Sequence, residues 1–94
     1  MHPFIEHHRA AILTLAARYG IDDIRVFGSM ARGDANTNSD IDLLVALPPG
    51  KSGLILGGLL ADVQELTQRK VDVITEGSLH PALRDRILRE ARFL

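Results

Sequence analysis

The sequence predicts an α/β domain: a small mixed β-sheet backed by helices. Two observations carry this. Apolar residues recur at helical spacing in two long segments and a shorter closing one, and three short runs are rich in β-branched residues. Their order is helix, strand, turn, strand, helix, strand, helix, a pattern that places helices against a sheet. No internal repeat and no low-complexity linker interrupts it, so residues 1–94 read as a single domain.

The first element is a helix over residues 3–19. Pro3 suits a first helical turn and Gly20 suits the position just past a helix end. Ile5, Ile12, Ala16 and Tyr19 fall near one face. Ile24-Arg25-Val26-Phe27 reads as a short strand. Ser29 to Arg32 reads as a single helical turn stopped by Gly33, and Asp34 to Ser39 as a polar loop. The second strand starts at Ser39 or Asp40 and runs to Leu47, where Pro48-Pro49-Gly50 ends it. Ser52 is a candidate cap for the next helix, in which Leu56, Leu59, Leu60, Val63 and Leu66 follow helical spacing. Gly57 and Gly58 weaken its first turn and predict a late start. Val71 to Thr75 is the third strand and Glu76-Gly77-Ser78 a turn. Pro81 to about Ala91 is the last helix, with Leu83, Ile87 and Ala91 inward.

Bulk properties narrow the function classes. A chain of 94 residues buries roughly 60–65% of its unfolded surface, so the core is modest. Eleven basic against twelve acidic residues give a net charge of −1, which argues against direct nucleic-acid binding by bulk charge. There is no cysteine, hence no disulfide framework and no thiolate metal site, which fits a cytoplasmic protein. The N-terminal residues lack the apolar core of a signal peptide, and the longest apolar run, Gly53 to Ala61, is too short to span a bilayer.

The chemistry concentrates in one stretch, Gly28-Ser29-Met30-Ala31-Arg32-Gly33-Asp34-Ala35-Asn36-Thr37-Asn38-Ser39-Asp40-Ile41-Asp42. Two carboxylates two residues apart in a strand share a face, with Cβ atoms roughly 6–7 Å apart. Carboxylates at that reach can converge on one Mg²⁺ or on a metal pair about 3.5–4 Å apart. Asp40 and Asp42 share their face with Leu44 and Ala46, while Ile41, Leu43, Val45 and Leu47 must face the core. As a solvated strand end the pair is less well explained, because two like charges on one face repel without a cation. A Gly-Ser turn upstream offers backbone N–H groups and a hydroxyl that suit a phosphate. Gly28 also fits a tight turn, and Ser29 a cap of the short helical turn. Arg32 is either a solvated residue or a bidentate phosphate ligand. Ser39 is either a turn residue or an orienter of Asp40. Asp72, between Val71 and Val73, is by pattern alone equally an edge-strand charge or a functional acid.

The four histidines show no metal-binding spacing and read as solvated surface. Arg84, Arg86, Arg89 and Arg92 make the last helix basic. Asp85 with Arg89, and Arg86 with Glu90, stand four apart and predict pairing within the helix. Leu54, Ile55 and Leu56 are more apolar than a loop needs. Burial by a partner chain, by a second copy of this chain, or against the sheet are the readings left open.

Gly28-Ser29 followed by Asp40-Ile41-Asp42 resembles the signature of the DNA polymerase β-type nucleotidyltransferase superfamily. The chain as a whole, through Lys70-Val71-Asp72-Val73-Ile74 and the closing Arg-rich helix, resembles a minimal nucleotidyltransferase domain. The resemblance implies the polymerase β-like fold, with the Asp72 strand beside the Asp40/Asp42 strand. It implies Mg²⁺ held by Asp40, Asp42 and Asp72, with Asp72 also accepting the proton of the attacking hydroxyl. It places ATP against Gly28 and Ser29, with Ser29 on the terminal phosphates.

A minimal domain of this type resembles the antitoxin half of a toxin–antitoxin pair whose partner is an all-helical HEPN ribonuclease. The implied activity is transfer of AMP from ATP to a tyrosine hydroxyl of that toxin. Two alternatives stay open: an antitoxin that acts only by covering its partner, and the catalytic subunit of a small-molecule nucleotidyltransferase. A neighbouring gene for a short helical protein with an Arg-x4-His motif would favour the toxin reading.

Overall fold

The computed structural model describes all 94 residues. Helix α1 (Pro3–Ala17) is followed by strand β1 (Ile24–Phe27), the single turn α2 (Ser29–Arg32) and strand β2 (Ile41–Val45). Helix α3 (Ile55–Thr67), strand β3 (Val71–Thr75), a 3₁₀ turn (Glu76–Ser78), helix α4 (Pro81–Glu90) and strand β4 (Arg92–Phe93) complete the chain. The four strands form one sheet in the order β3-β2-β1-β4. β1 is antiparallel to both neighbours, whereas β2 and β3 are parallel and joined by α3. The sheet is therefore mixed, as the sequence predicts.

One face carries the core. Ile5, Ile12 and Ala16 of α1 pack with Leu59 and Val63 of α3 against Val26, Ile41, Leu43 and Val45. These are the positions that helical and strand periodicity assign inward. The other face is only partly covered, by α4, whose sole buried residue is Ile87. Leu44, on the same side of β2 as Asp42, is also fully buried. The molecule is accordingly thin, 36 × 31 × 18 Å, close to two layers.

Several boundaries differ from the sequence reading. α1 ends at Ala17 rather than residue 19, because the amides of Arg18, Tyr19 and Gly20 switch to i−3 carbonyls and Gly20 takes φ +72°. β2 covers residues 41–45 rather than 40–47. Asp40 precedes it and Ala46 hands its amide to the Asp23 carbonyl outside the ladder. α3 begins at Ile55 and takes in both glycines instead of starting late. Leu54 is its N-cap residue, and Ser52 Oγ accepts from the Leu54 amide. Gly58 has a packing reason: a Cβ there would lie 2.7 Å from the Tyr19 hydroxyl. That hydroxyl donates to Asp62 Oδ2 at 2.6 Å and ties α1 to α3. Farther along α3, Thr67 rather than Leu66 turns inward, with its hydroxyl donating to the Val63 carbonyl.

α4 ends at Glu90, and Ile87 is buried while Leu83 remains 46% exposed, contrary to its inward assignment; Ala91 is only partly buried. Strand β4 is absent from the sequence reading because two residues are too few for a pattern. It forms because Phe93 pairs with Arg25 and lies under its guanidinium. Three of the histidines are not simply solvated: half-buried His8 packs on the Phe4 ring, its Nδ1 2.8 Å from the Phe4 carbonyl. His2 and His80 each precede a proline, and the Nδ1 of each accepts the amide two residues on, capping α1 and α4. Of the apolar segment, Leu54 is 87% exposed, whereas Ile55 and Leu56 pack against the core.

Candidate active site

Register brings the acids together. Asp42 on β2 stands directly opposite Asp72 on the parallel strand β3, and opposite Phe27 on β1. The chain leaves β1 at Phe27 and turns at Gly28, so the Gly28-Ser29 turn lies beside Asp42. Gly28 has φ +71° and ψ −155°, a region essentially confined to glycine. A Cβ there would overlap Asp42 Oδ2, so the glycine serves both the turn and the close approach of the carboxylate. Ser29 opens α2 and Gly33 closes it in the left-handed conformation, as expected.

A cavity of about 460 Å³ opens here, walled by Gly28, Ser29, Arg32, Asp40, Asp42 and Glu90. Asp72 is exposed and lies outside its wall, beside Asp42 on the sheet. Asp40 sits just before β2, with Lys70 Nζ 3.8 Å from its Oδ2. The preceding loop is pinned by its own polar groups: Ser39 Oγ accepts from the Asn36 amide, the turn role of the two considered for Ser39. Arg69 Nη1 donates to the Asn36 carbonyl while its guanidinium lies 4.1 Å over the Phe4 ring.

The electrostatics favour a cation. Burial pushes the Asp42 carboxyl above the usual range, and the carboxylates of Asp72, Asp40 and Glu90 push it further, with Arg32 opposing. An ionised Asp42 thus lacks sufficient positive charge from the chain itself. No three acidic or histidine side chains converge into a closed metal cage. Mg²⁺ does not require one, since it is held by one or two carboxylates together with water and substrate phosphates. The adjacent Asp42 and Asp72 meet that lesser requirement.

Arg32 is solvent-exposed but not free. Its Nη1 donates to Glu90 Oε1 at 2.5 Å and its Nε to Asp34 Oδ2 at 3.1 Å. Glu90 also accepts from the Gly28 amide at 2.9 Å. The sequence reading missed Glu90 at this site. It assigned the residue to a pair with Arg86, but its contacts are 58 and 62 residues away in sequence. No Asp85–Arg89 pair forms either; the ion pair that α4 makes besides that of Glu90 is Arg84 with Glu76. No local pattern signals contacts of that separation.

Comparison with known proteins bears on the fold and on the class of activity. The profile of the family described as nucleotidyltransferase domain matches residues 9–94. The Methanocaldococcus jannaschii protein MJ0435, provisionally named a protein adenylyltransferase, is 40% identical over 87 residues, covering 93% of this chain and 94% of its own. The protein adenylyltransferase MntA of Thermococcus cleftensis is 34% identical over 80 residues, covering 85% and 81%. A solved structure provisionally described as a minimal nucleotidyltransferase superposes with a TM-score of 0.84 at 42% identity, over 100% of this chain and 97% of the other. A toxin–antitoxin structure with AMP-PNP shares the fold, with a TM-score of 0.74 at 21% identity over 89% and 69%. The chain belongs to the nucleotidyltransferase domain family. It is an enzyme of the nucleotidyltransferase class, built on the minimal form of that fold.

Proposed function

We propose that this protein transfers AMP from ATP to a hydroxyl of a partner protein, a tyrosine of a HEPN-type toxin, and so acts as the antitoxin of the pair in the cytoplasm. The observation that carries the reading is the register of Asp42 with Asp72 beside the Gly28-Ser29 turn. It sets two acids next to an anion-binding backbone, the combination that transfer from a triphosphate needs. The names of MJ0435 and MntA support a protein acceptor, and the fold shared with the toxin–antitoxin structures supports the partner class.

In this reading Gly28, Ser29 and Arg32 receive the phosphates, and Mg²⁺ would be held by Asp42 and Asp72, aided by Asp40, together with water and phosphate oxygens rather than in a closed cage of the chain's own side chains. The metal, when bound, neutralises charge that develops on the phosphoryl oxygens. The acceptor oxygen forms a bond to the α-phosphorus, the bond to the pyrophosphate oxygen breaks, and Asp72 takes the hydroxyl proton. Asp72, exposed beside the cavity, lies where an incoming protein can reach it.

The test is incubation of the protein and its partner with ATP and Mg²⁺, followed by mass spectrometry of the partner. A mass gain of one adenylyl group on a tyrosine is expected. Asp72→Asn should bind Mg-ATP within a few-fold of wild type yet lose transfer by roughly 10²-fold or more, the scale of a lost general base. Protection of cells by that variant without detectable modification would instead indicate inhibition by binding alone.

A further inference from the structure

Glu90 occupies the anion position of the site. Its two oxygens bridge the Gly28 amide and the Arg32 guanidinium, at 2.9 and 2.5 Å. Both donors belong to the turn read above as the phosphate seat. A carboxylate bridging a backbone N–H and a guanidinium makes the contacts that two oxygens of a phosphate would make. Glu90 is only 13% exposed, so it fills the position rather than brushing past it. Burial pushes its carboxyl up, yet the bonds from Arg32 and the Gly28 amide outweigh that and hold it below the usual range. It is therefore a charged occupant.

We propose that Glu90 is a built-in competitor for the triphosphate: the phosphates bind Gly28 and Arg32 only after its carboxylate has left them. The inference rests on Gly28 and Arg32 being the phosphate seat. Two further features suit the exchange. α4 is lightly anchored, with Ile87 its one buried residue, so displacing its last turn disrupts little packing. An adjoining cavity of about 320 Å³ shares Arg32, Arg86 and Glu90 with the site and adds Arg89 and Arg92. None of Arg86, Arg89 and Arg92 is held in an ion pair. A carboxylate leaving the seat thus meets other guanidinium groups lining the adjoining cavity. Glu90 also adds negative charge beside Asp42. An approaching triphosphate meets that repulsion until Glu90 moves.

The test is affinity, measured by calorimetry on the full chain with two probes, Mg-ATP and inorganic tripolyphosphate. Glu90→Gln keeps the shape and an acceptor oxygen for the Gly28 amide but removes the charge. It is expected to bind both probes about 3–10-fold more tightly than wild type, the range set by one charged hydrogen bond no longer in competition. Glu90→Ala is read in the same way and replaces it if the glutamine variant does not fold. Arg32→Ala is expected to weaken both probes. Weaker binding in both Glu90 variants, with wild type binding normally, would make Glu90 a positioning residue of the seat and overturn the competitor while leaving the proposed function intact. Tripolyphosphate affinity insensitive to Arg32→Ala would show that the seat itself is misassigned, and both would fall.

Discussion

Replacing Gly28 by alanine separates a backbone effect from a chemical one. At φ +71° and ψ −155° any residue with a Cβ is strained, by about 1–3 kcal/mol. For a domain of this size that corresponds to a fall in Tm of about 4–24 °C. The new methyl group also meets Asp42 Oδ2, while Asp42 Cγ and Cβ stay 3.4 and 3.7 Å away. Rotation of the Asp42 carboxylate relieves the overlap, so the clash adds little to the loss of stability. It does move the carboxylate out of position, and a displacement of about 1 Å costs on the order of 10²-fold in rate. Gly33→Ala is the control. Its φ is +86°, but nothing lies within 4 Å of its Cβ position. It should lose about 1–2 kcal/mol by the same conformational argument and keep transfer. The assays are thermal melts of both variants and adenylyl transfer by mass shift of the acceptor. Full transfer by Gly28→Ala would refute the reasoning, because it would mean that the position of Asp42 does not matter.

The remaining predictions concern charge, packing and capping. The Asp42 carboxyl is raised in the folded state, so the fold binds its proton more tightly than the unfolded chain does. Stability therefore falls as pH rises from the ordinary carboxylate range through the raised pKa, and the penalty is complete above it. Asp42→Asn should then raise Tm at neutral pH, flatten that part of the pH dependence and abolish transfer; Mg²⁺ should raise the Tm of wild type more than that of the variant. Gly58→Ala should destabilise the protein by pressing on the Tyr19 ring, yet in a Tyr19→Ala background the same change should stabilise α3 by about 0.5–1 kcal/mol. A four-variant melt cycle reads that reversal of sign. His80→Ala should cost about 1 kcal/mol through loss of the α4 cap, with His80→Asn recovering most of it and hydrogen exchange locating the change in the first turn of α4. Leu54→Asp should leave the fold intact and stabilise it by up to about 1 kcal/mol, because the side chain is 87% exposed at the N-cap of α3, where a carboxylate is favoured. Loss of co-purification with the partner in that variant would assign Leu54 to the interface.

The sequence by itself determined the class of fold and most of the elements, because strand and helix periods record which side of each element faces the core. Ile41, Leu43 and Val45 alternate with Asp42 and Leu44, and the structure buries the first three in the main core. The Gly28-Ser29 turn and the spacing to Asp40 and Asp42 were equally legible, being local in the chain. The placement of Asp72 beside them followed only from the family resemblance, since residue spacing does not set the register of two parallel strands. What remained for the tertiary structure were contacts between residues far apart in sequence. Gly58 reads as a weak helix start until Tyr19 is seen against it. Glu90 reads as half of a helical ion pair until the chain folds α4 over the second face of the sheet and sets its carboxylate on Gly28 and Arg32. The energy of such contacts depends on where the chain brings distant groups, and a one-dimensional pattern carries no term for that distance.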